Sequence, residues 1–263
     1  GSPGVALANS NNQPISHPEF GFNPQVTRRA APVFIGSQYS QELFVDGAAG
    51  SRFLDPVSGV QRIASGGALE NQAVRPPLRV VEMAHQGRDW AAVVAKLNTA
   101  VPLALATNLP ADVAARLASS PSYPDLFQDA FGDATVSADR IAFAIASYER
   151  TLVPDQTPWD AFMAGDSSAM TANQQAGWDA FKVSLCASCH TPPLFTDNQF
   201  HNIGVRPPAE ATGRQEVTGL PEDRGKFRTS TLRNAALKSS FMHNGKLTSM
   251  GQAIDFYLEG RSA

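Results

Sequence analysis

The sequence contains few cysteines, few charges and no long apolar run. Only two of its 263 residues are cysteine, 17% are charged, and the formal net charge is −3. Because no basic stripe is present, neither nucleic acid nor an anionic membrane surface is expected as a partner. No apolar run approaches the ~20 residues that a membrane-spanning helix requires, so no membrane span is predicted. The start, Gly1-Ser2-Pro3-Gly4, lacks the charged-then-apolar pattern of a secretory signal, which predicts a mature, trimmed or incomplete chain.

The residues that are present predict a mainly α-helical globular protein. Hydrophobic residues make up 43% of the chain, which is ample for the core of one large or two small domains. Helical spacing recurs along the chain, and no convincing strand ladder is found. Helices are predicted from Arg88, over 111–118, around 125–130, after the caps Ser137, Thr171 and Thr248, with the last helix ending at Gly260. Residues 1–35 and 191–226 are predicted to be long irregular segments.

A linker is predicted between two domains. The segment 154–170 contains two prolines, Gly165 and a serine pair, all of which are typical of a connection rather than of a helix. We therefore place an N-terminal domain over 1–165 and a C-terminal domain over 166–263.

The two cysteines form one motif with the histidine that follows them. Cys186-Ala187-Ser188-Cys189-His190 reads C-x-x-C-H, the attachment pattern of a c-type haem (heme c). Cys186 and Cys189 can each form a thioether to the haem edge, and His190 can ligate the iron. A disulfide, a thioredoxin-like redox pair and half of a zinc site are the alternatives. The zinc site lacks a second cysteine pair, and no βαβ pattern surrounds the motif.

The ligand on the far side of the iron decides whether the haem can bind a substrate or only pass electrons. The candidates downstream of the motif are His201, Met242, His243, Met250 and Tyr257. Met250 and Tyr257 are seven residues apart on one helical face, so spacing alone does not choose between them. Each could equally be a core residue facing the haem edge.

Several stretches of the sequence carry a resemblance to a known family. The stretches that carry it are Cys186–His190, Thr191–Asp197, Phe200–Gly204, Gly225–Thr229, Leu232–Asn234 and Phe241–Gly245, with Leu69–Ala73 and Val81–Met83 upstream. Together they resemble the bacterial di-haem cytochrome c peroxidases and their MauG-like relatives. The resemblance implies two cytochrome-c-like haem domains with long irregular loops, and an active haem in the N-terminal one.

The resemblance also implies roles for individual residues. The far ligand of the C-terminal haem falls on Tyr257, where peroxidases carry methionine and MauG-like enzymes carry tyrosine; Met250 is the runner-up. A phenolate is a hard donor that favours oxidised iron. Arg228, within its motif, is expected to bind the cofactor. Glu82 and Gln72 correspond to the catalytic residues of the peroxide pocket, where a carboxylate can move a proton between the two peroxide oxygens.

Three departures from the family pattern are visible. The N-terminal C-x-x-C-H is absent from this chain, so a second haem is expected to belong to a segment outside the stated sequence. The tryptophan between the two haems is replaced by Val45, which leaves Phe44 or direct tunnelling as the electron path. The inter-domain calcium site would use Ala30, where relatives carry asparagine, and the carbonyls of Lys238 and Ser240; calcium is kept as a weakened candidate.

The function implied is a c-type haem oxidoreductase that uses hydrogen peroxide to oxidise an electron donor or a side chain of a partner protein. The donor would be a small cytochrome c or a cupredoxin. Since covalent haem is attached outside the bacterial cytoplasm, a periplasmic location is expected. The alternatives are a non-enzymatic mono-haem electron-transfer protein, which the single C-x-x-C-H motif favours, and a haem-stabilised binding module.

Overall fold

The computed structural model describes residues 2–207 and 209–259, and this part of the chain is mainly helical, as the sequence predicts. Its α-helices are α1 (Ala68–Ala73), α2 (Trp90–Leu97), α3 (Ala111–Ser119), α4 (Tyr123–Phe131), α5 (Ala138–Arg150), α6 (Pro158–Met163), α7 (Ala172–Val183), α8 (Cys186–Cys189), α9 (Gln215–Thr218) and α10 (Met250–Glu259). Short 3-10 turns cover Ser37–Tyr39, Pro76–Leu78, Pro221–Asp223 and Ala235–Leu237. None of the described helices combines the length and apolarity that crossing a membrane requires.

The described strands form three short antiparallel pairs rather than a layered sheet. They are β1 (Pro3–Ala6) with β2 (Pro24–Val26), β3 (Phe53–Leu54) with β4 (Gln61–Ile63), and β5 (Phe200–His201) with β6 (Phe227–Arg228). Two-stranded pairs of this length are marginal alone, so their role is to fix the long loops against the helices.

The first of these pairs explains how the irregular N-terminal segment is held. Gln25, in β2, is buried, and its amide donates hydrogen bonds to the carbonyls of Val5 and Val80, each at 3.2 Å. The backbone N–H of Val5 also donates to the Val81 carbonyl at 3.3 Å. The β1–β2 pair therefore braces the loop that precedes Glu82.

The N-terminal half, residues 2–153, has its own apolar core. The main cluster joins α2, α4 and α5 through Trp90, Val93, Phe127, Val136, Ala138 and Ile141. Two smaller clusters pack the other side of α5 against α1 and β3, through Phe53, Ala73 and Ala142, and through Leu43, Ala49, Ala68, Leu69 and Ala146. Burying each large side chain contributes about 1.5–3 kcal/mol, so this half has a substantial apolar contribution to stability.

A buried ion pair adds to the packing of α1 on α5. Glu70 is 2% exposed, and its two carboxylate oxygens accept hydrogen bonds from Arg150 at 2.7 and 3.0 Å. A bidentate arginine–carboxylate pair is directional, so it fixes the orientation of α1 as well as its position.

Several predicted helix starts are confirmed and one is wrong. The side chain of Thr171 accepts from the backbone of Gln174 and forms the predicted capping box of α7. Ser137 precedes α5, although its hydroxyl bonds to Asp139 rather than to the helix backbone. The cap of α10 is Ser249, whose hydroxyl accepts from the Gln252 backbone at 3.1 Å, and not Thr248 as predicted. The predicted end of this helix, Gly260, lies outside the described residues.

The segment predicted as a linker contains the short helix α6, which has a capping box between Thr157 and Asp160. Asp160 accepts two hydrogen bonds from Arg233, at 2.7 and 3.0 Å, and Trp159 packs edge-to-face on Trp178 at 5.5 Å. This part of 154–170 is therefore packed against the C-terminal half, residues 154–259; the domain boundary at 165 stays a prediction.

The C-terminal half buries much less of its own apolar surface. Its buried apolar residues within the described chain are Met170, Val205, Ala235, Ala253 and Phe256. Helix α7 contains no buried residue, although it carries a tryptophan and a phenylalanine. The packing that this half lacks must come from outside its own side chains.

Polar contacts join the two halves along a seam. Arg214 pairs with Glu42 at 2.8 Å, and its guanidinium lies 3.8 Å from the centre of the Phe200 ring. The backbone N–H of Arg228 donates to the Val45 carbonyl at 2.8 Å. Val45, the residue in place of the tryptophan expected from the resemblance, is therefore buried at this seam.

Candidate haem-binding site

The two cysteines lie on a single helical turn, α8. Residues three apart on a helix share a face, so this turn presents both sulfur atoms on the same side. Both cysteines are free, with Cys186 exposed and Cys189 partly buried. The backbone N–H of His190 donates to the Cys186 carbonyl at 2.9 Å and closes the turn. The imidazole is therefore held next to the two thiols.

The surroundings of His190 prepare its ring for metal ligation. The Nδ1 atom lies 3.0 Å from the Phe195 carbonyl oxygen. Because a carbonyl oxygen can only accept, the proton of the neutral ring lies on Nδ1, and the lone pair of Nε2 is free to bind a metal. Burial lowers the pKa of His190 despite the opposing effect of nearby carbonyls and of Asp197, so the imidazole is neutral at physiological pH. A neutral ring with a fixed tautomer is the form that binds iron.

An aromatic cluster holds the segment that carries this carbonyl. The Phe195 ring lies 4.8 Å from Trp159, 5.8 Å from Phe181 and 6.2 Å from Trp178, measured between ring centres. Edge-to-face pairs of this kind add about 0.5–1.5 kcal/mol each beyond their buried area. Helices α6 and α7 therefore support the histidine side of the site. Trp159 was missed by sequence reasoning because it falls in the predicted linker.

Tyr257 lies on helix α10, and its side chain is half exposed. Partial burial raises the pKa of its phenol, and Cys189 and Cys186 raise it further. Met250 lies at the start of the same helix. Seven helical residues span about 10 Å, so the two side chains cannot both face the same point. The choice of Tyr257 over Met250 as the iron ligand stays a prediction.

Two of the other candidate ligands, His201 and His243, already have partners. His201 Nε2 lies 2.7 Å from an Asp197 carboxylate oxygen, and these two groups are close to Cys189. His243 stacks on Phe227 at 3.7 Å between ring centres, and burial, together with two nearby arginines, lowers its pKa to about 4. The pairing of His201 with Asp197 was not anticipated, although both residues lie in stretches that carry the family resemblance.

These residues fit a haem. The donor set is two thiols on one turn, a neutral histidine and a phenol. Large apolar side chains beside the motif and on α10 are exposed, among them Leu185 at 90%, Val183 at 88%, Leu258 at 79% and Ile254 at 52%. Large apolar side chains that stay exposed are a common sign of a binding site. A porphyrin is a large apolar plate that would cover such side chains.

Gln72 and Glu82 line one cleft in the N-terminal half. The cleft has a volume of about 700 Å³, which is within the range of cofactor pockets. Gln72 belongs to helix α1. Glu82 follows a turn that begins at Arg79, and its carboxylate pairs with the Arg79 guanidinium at 3.2 Å. Arg28 and Arg29 also line the cleft. The pocket thus combines an amide, four carboxylates (Asp46, Glu82, Glu149 and Glu216) and several cations, although the chain carries no cysteine motif beside it.

Arg228 is buried at the seam rather than on the surface. Its guanidinium donates to Ser40 Oγ at 3.1 Å and to Asn198 Oδ1 at 3.3 Å, and burial lowers its pKa. Its Nε atom has no hydrogen-bond partner among the described residues. The pocket beside it holds about 20 Å³, which is room for a single water. A cofactor-binding role for Arg228 stays a prediction.

The residues at the expected calcium position do not fit that ion. Ala30 offers no side-chain oxygen, and its backbone N–H donates to the His243 carbonyl at 2.8 Å. The ammonium of Lys238 donates to the Ala31 carbonyl at 2.7 Å. Calcium requires six to eight oxygen ligands, and a cationic side chain already occupies this part of the seam.

Comparison with known proteins supports the same family. The family model for di-haem cytochrome c peroxidase matches residues 6–168. The cytochrome c551 peroxidase of Nitrosomonas europaea is 36% identical over 143 residues, which are 53% of this chain and 43% of that protein. The methylamine utilization protein MauG of Methylorubrum extorquens is 34% identical over 151 residues, which are 56% of this chain and 43% of that protein.

The fold is also similar to that of a solved structure. A MauG-like protein associated with microbial copper homeostasis superposes with a TM-score of 0.62 at 23% identity, over 97% of this chain and 66% of that one. The matches to the two curated relatives span less than half of their length. Because the family model covers more than half of the chain, this protein belongs to the di-haem cytochrome c peroxidase family.

Proposed function

We propose that the protein to which this chain belongs is a periplasmic c-type haem oxidoreductase that uses hydrogen peroxide to oxidise an electron donor or a side chain of a partner protein. The observation that carries this proposal is the cleft that Gln72 and Glu82 line together. Residues ten positions apart, one in a helix and one in a loop, meet at a pocket of about 700 Å³, which is large enough for a cofactor.

A haem in this cleft, when bound, supplies the iron that accepts peroxide and the electrons that reduce it. The chain supplies the proton handling. The Glu82 carboxylate takes a proton from the near oxygen of peroxide and returns it to the far oxygen, so that the far oxygen leaves as water. The Gln72 amide donates a hydrogen bond that holds the peroxide in line with this transfer. Arg79 orients the carboxylate through its hydrogen bond at 3.2 Å.

The C-terminal haem would act as the relay or store of oxidising equivalents. Cys186 and Cys189 would anchor it, and His190 and Tyr257 would ligate its iron. A phenolate disfavours reduced iron more than a thioether does, so this haem would retain oxidising equivalents rather than pass electrons readily. This supports the MauG-like version, in which a partner-protein side chain is oxidised. The aliphatic Val45 at the seam supports the peroxidase version, because it cannot serve as an intermediate redox site.

Replacing Glu82 tests the proposed role of the cleft. In the full-length, haem-loaded protein, we expect Glu82→Gln to lower kcat/KM for hydrogen peroxide by about 10²–10⁴-fold, because a positioned acid–base group contributes that much. Haem content and the C-terminal spectrum should not change. Glu222→Gln is the matched control, since Glu222 is exposed on the other half. Equal peroxide kinetics in the two variants would contradict the proposal.

The competing function is that of a mono-haem electron carrier, which the single C-x-x-C-H motif favours. A carrier would exchange electrons with a cytochrome c or cupredoxin without consuming peroxide. Steady oxidation of a reduced donor by peroxide identifies the peroxidase version, and stable oxidation products on a partner protein identify the MauG-like version. Donor oxidation without peroxide loss would assign the carrier.

A further inference from the structure

The seam between the halves contains a lysine whose ammonium bonds across it. Lys238 is partly buried, and its Nζ donates to the Ala31 carbonyl at 2.7 Å, a contact between residues 207 positions apart. Partial burial lowers the pKa of Lys238, although its hydrogen bond to Ala31 lies on the exposed side of the seam.

A backbone contact lies beside the lysine contact. The Ala30 N–H donates to the His243 carbonyl at 2.8 Å, and a Cβ added at Gly245 would lie only 3.2 Å from the Ala30 methyl group. Ala30 is 4% exposed, so the seam is closely packed at this residue. The segment 30–31 is thus held to the segment 238–245 by one backbone hydrogen bond and one cationic hydrogen bond.

A hard cation does not fit at the same place. The position expected to supply a side-chain oxygen is a methyl group, and the ammonium is already bonded to a carbonyl of the same segment. Bringing a divalent ion to this seam would place it beside a fixed positive charge, which is unfavourable at any short distance.

We propose that the ammonium of Lys238 is the built-in cation of this seam, and that it joins the halves in the way an inter-domain metal ion would, so that this protein needs no calcium. An ammonium is a cationic hydrogen-bond donor, and here it donates to the Ala31 carbonyl, an oxygen of the kind that a hard cation would bind. The proposal concerns how the two halves are joined, so it does not depend on the proposed peroxide chemistry.

The lysine also positions one wall of the cleft. Arg29, Ala30 and Ala31 all line the cleft that contains Gln72 and Glu82. Because Lys238 holds Ala31, it fixes this wall from outside the cleft. Lys238 is therefore a positioning residue that contacts neither peroxide nor haem.

Two measurements on the full-length, haem-loaded protein test this proposal. First, the melting temperature is measured with calcium chloride and with EDTA. A ligand that binds only the folded state raises the melting temperature, so we expect no shift beyond about 1 °C with either. A rise with calcium that EDTA reverses, with one ion bound per chain, would overturn the proposal.

Second, Lys238→Met is compared with Lys246→Met, an exposed lysine in the same segment. We expect Lys238→Met to lower the melting temperature by about 2–4 °C, the shift associated with one lost interaction in a protein of this size. Amide exchange at Ala30 should become at least several-fold faster, and Lys238→Arg should restore part of the protection. Unchanged exchange at Ala30 in Lys238→Met, relative to Lys246→Met, would contradict the role assigned to the lysine.

Discussion

The two halves of this molecule obtain their stability differently. In the N-terminal half, the 13-residue helix α5 buries five of its residues and contributes to all three apolar clusters. In the C-terminal half, the 12-residue helix α7 buries none. The two helices are of similar length, and α7 carries the larger aromatic side chains. The surface of α7 and of its neighbours is therefore left uncovered by the described residues and is available to a cofactor.

The comparison also explains where the chemical groups are. The N-terminal half presents a carboxylate and an amide at a preformed cleft, on elements that its own core supports. The C-terminal half presents thiols, an imidazole and a phenol, supported by an aromatic cluster on one side only. The first arrangement suits handling of protons. The second suits covalent attachment and iron ligation.

Removing the two thiols should have the largest effect on the difference between the halves. In Cys186→Ala/Cys189→Ala, no haem can be linked at this motif, and we expect the C-terminal half to lose its amide protection almost completely. Helices α2, α4 and α5 should keep theirs, because their core does not involve the motif. Hydrogen exchange read segment by segment measures both outcomes. Retained protection in α7 and α10 of the variant would contradict a cofactor-dependent C-terminal half.

Truncating a core residue of the N-terminal half should have the next largest effect. Phe127 is 6% exposed within the main cluster, so Phe127→Ala should lower the free energy of unfolding by about 3–5 kcal/mol. The loss should be equal whether or not the haem at Cys186 is attached, since the cluster lies entirely in the other half. Thermal or denaturant unfolding of both forms measures it. A loss that depends on this haem would mean that the halves are not independent.

Breaking the pair that anchors α6 should have a smaller effect. Arg233→Met leaves Asp160 without its partner, and because Asp160 is partly solvent-accessible we expect a loss of about 2–3 kcal/mol, below that of a fully buried pair. Denaturant unfolding at neutral pH measures this loss. An equal free energy of unfolding in the wild type and in Arg233→Met would show that the pair does not hold α6.

The stability that the Arg233–Asp160 pair contributes should decrease at acidic pH. The Arg233 hydrogen bonds hold the pKa of Asp160 well below its ordinary value of 3.8. A lowered folded-state pKa contributes stability above the ordinary pKa, and this contribution is lost as pH falls below it. The difference between wild type and Arg233→Met should therefore be constant above about pH 5 and shrink below about pH 4. A difference that grows in acid would contradict the assignment.

Local sequence signals predicted the local structure well. Helix α2 was predicted from the spacing of Trp90, Val93 and Leu97. The capping box of α7 was predicted from the four consecutive residues 171–174. The cysteine motif predicted haem attachment because all of its groups lie within five consecutive residues. Helix α6 was missed since six residues are too few to show a period, although Thr157 and Asp160 carried a capping signal that could have been read.

Contacts between distant segments could not be predicted in this way. The cleft depends on β1 and β2 bracing the Glu82 loop through Gln25, a contact with no local signature. The bond from Lys238 to Ala31 likewise joins segments that only the folded chain brings together. The family resemblance identified Gln72 and Glu82, whereas composition and periodicity alone did not.

The central claim is that the C-terminal half is organised around a haem iron held between His190 and Tyr257. The most direct measurement is the absorption spectrum of the ferric, haem-loaded protein beside that of Tyr257→Phe, with haem content determined for both. The account predicts equal haem content and a phenolate-to-iron band that is present in the wild type and absent from the variant. Identical spectra would contradict it.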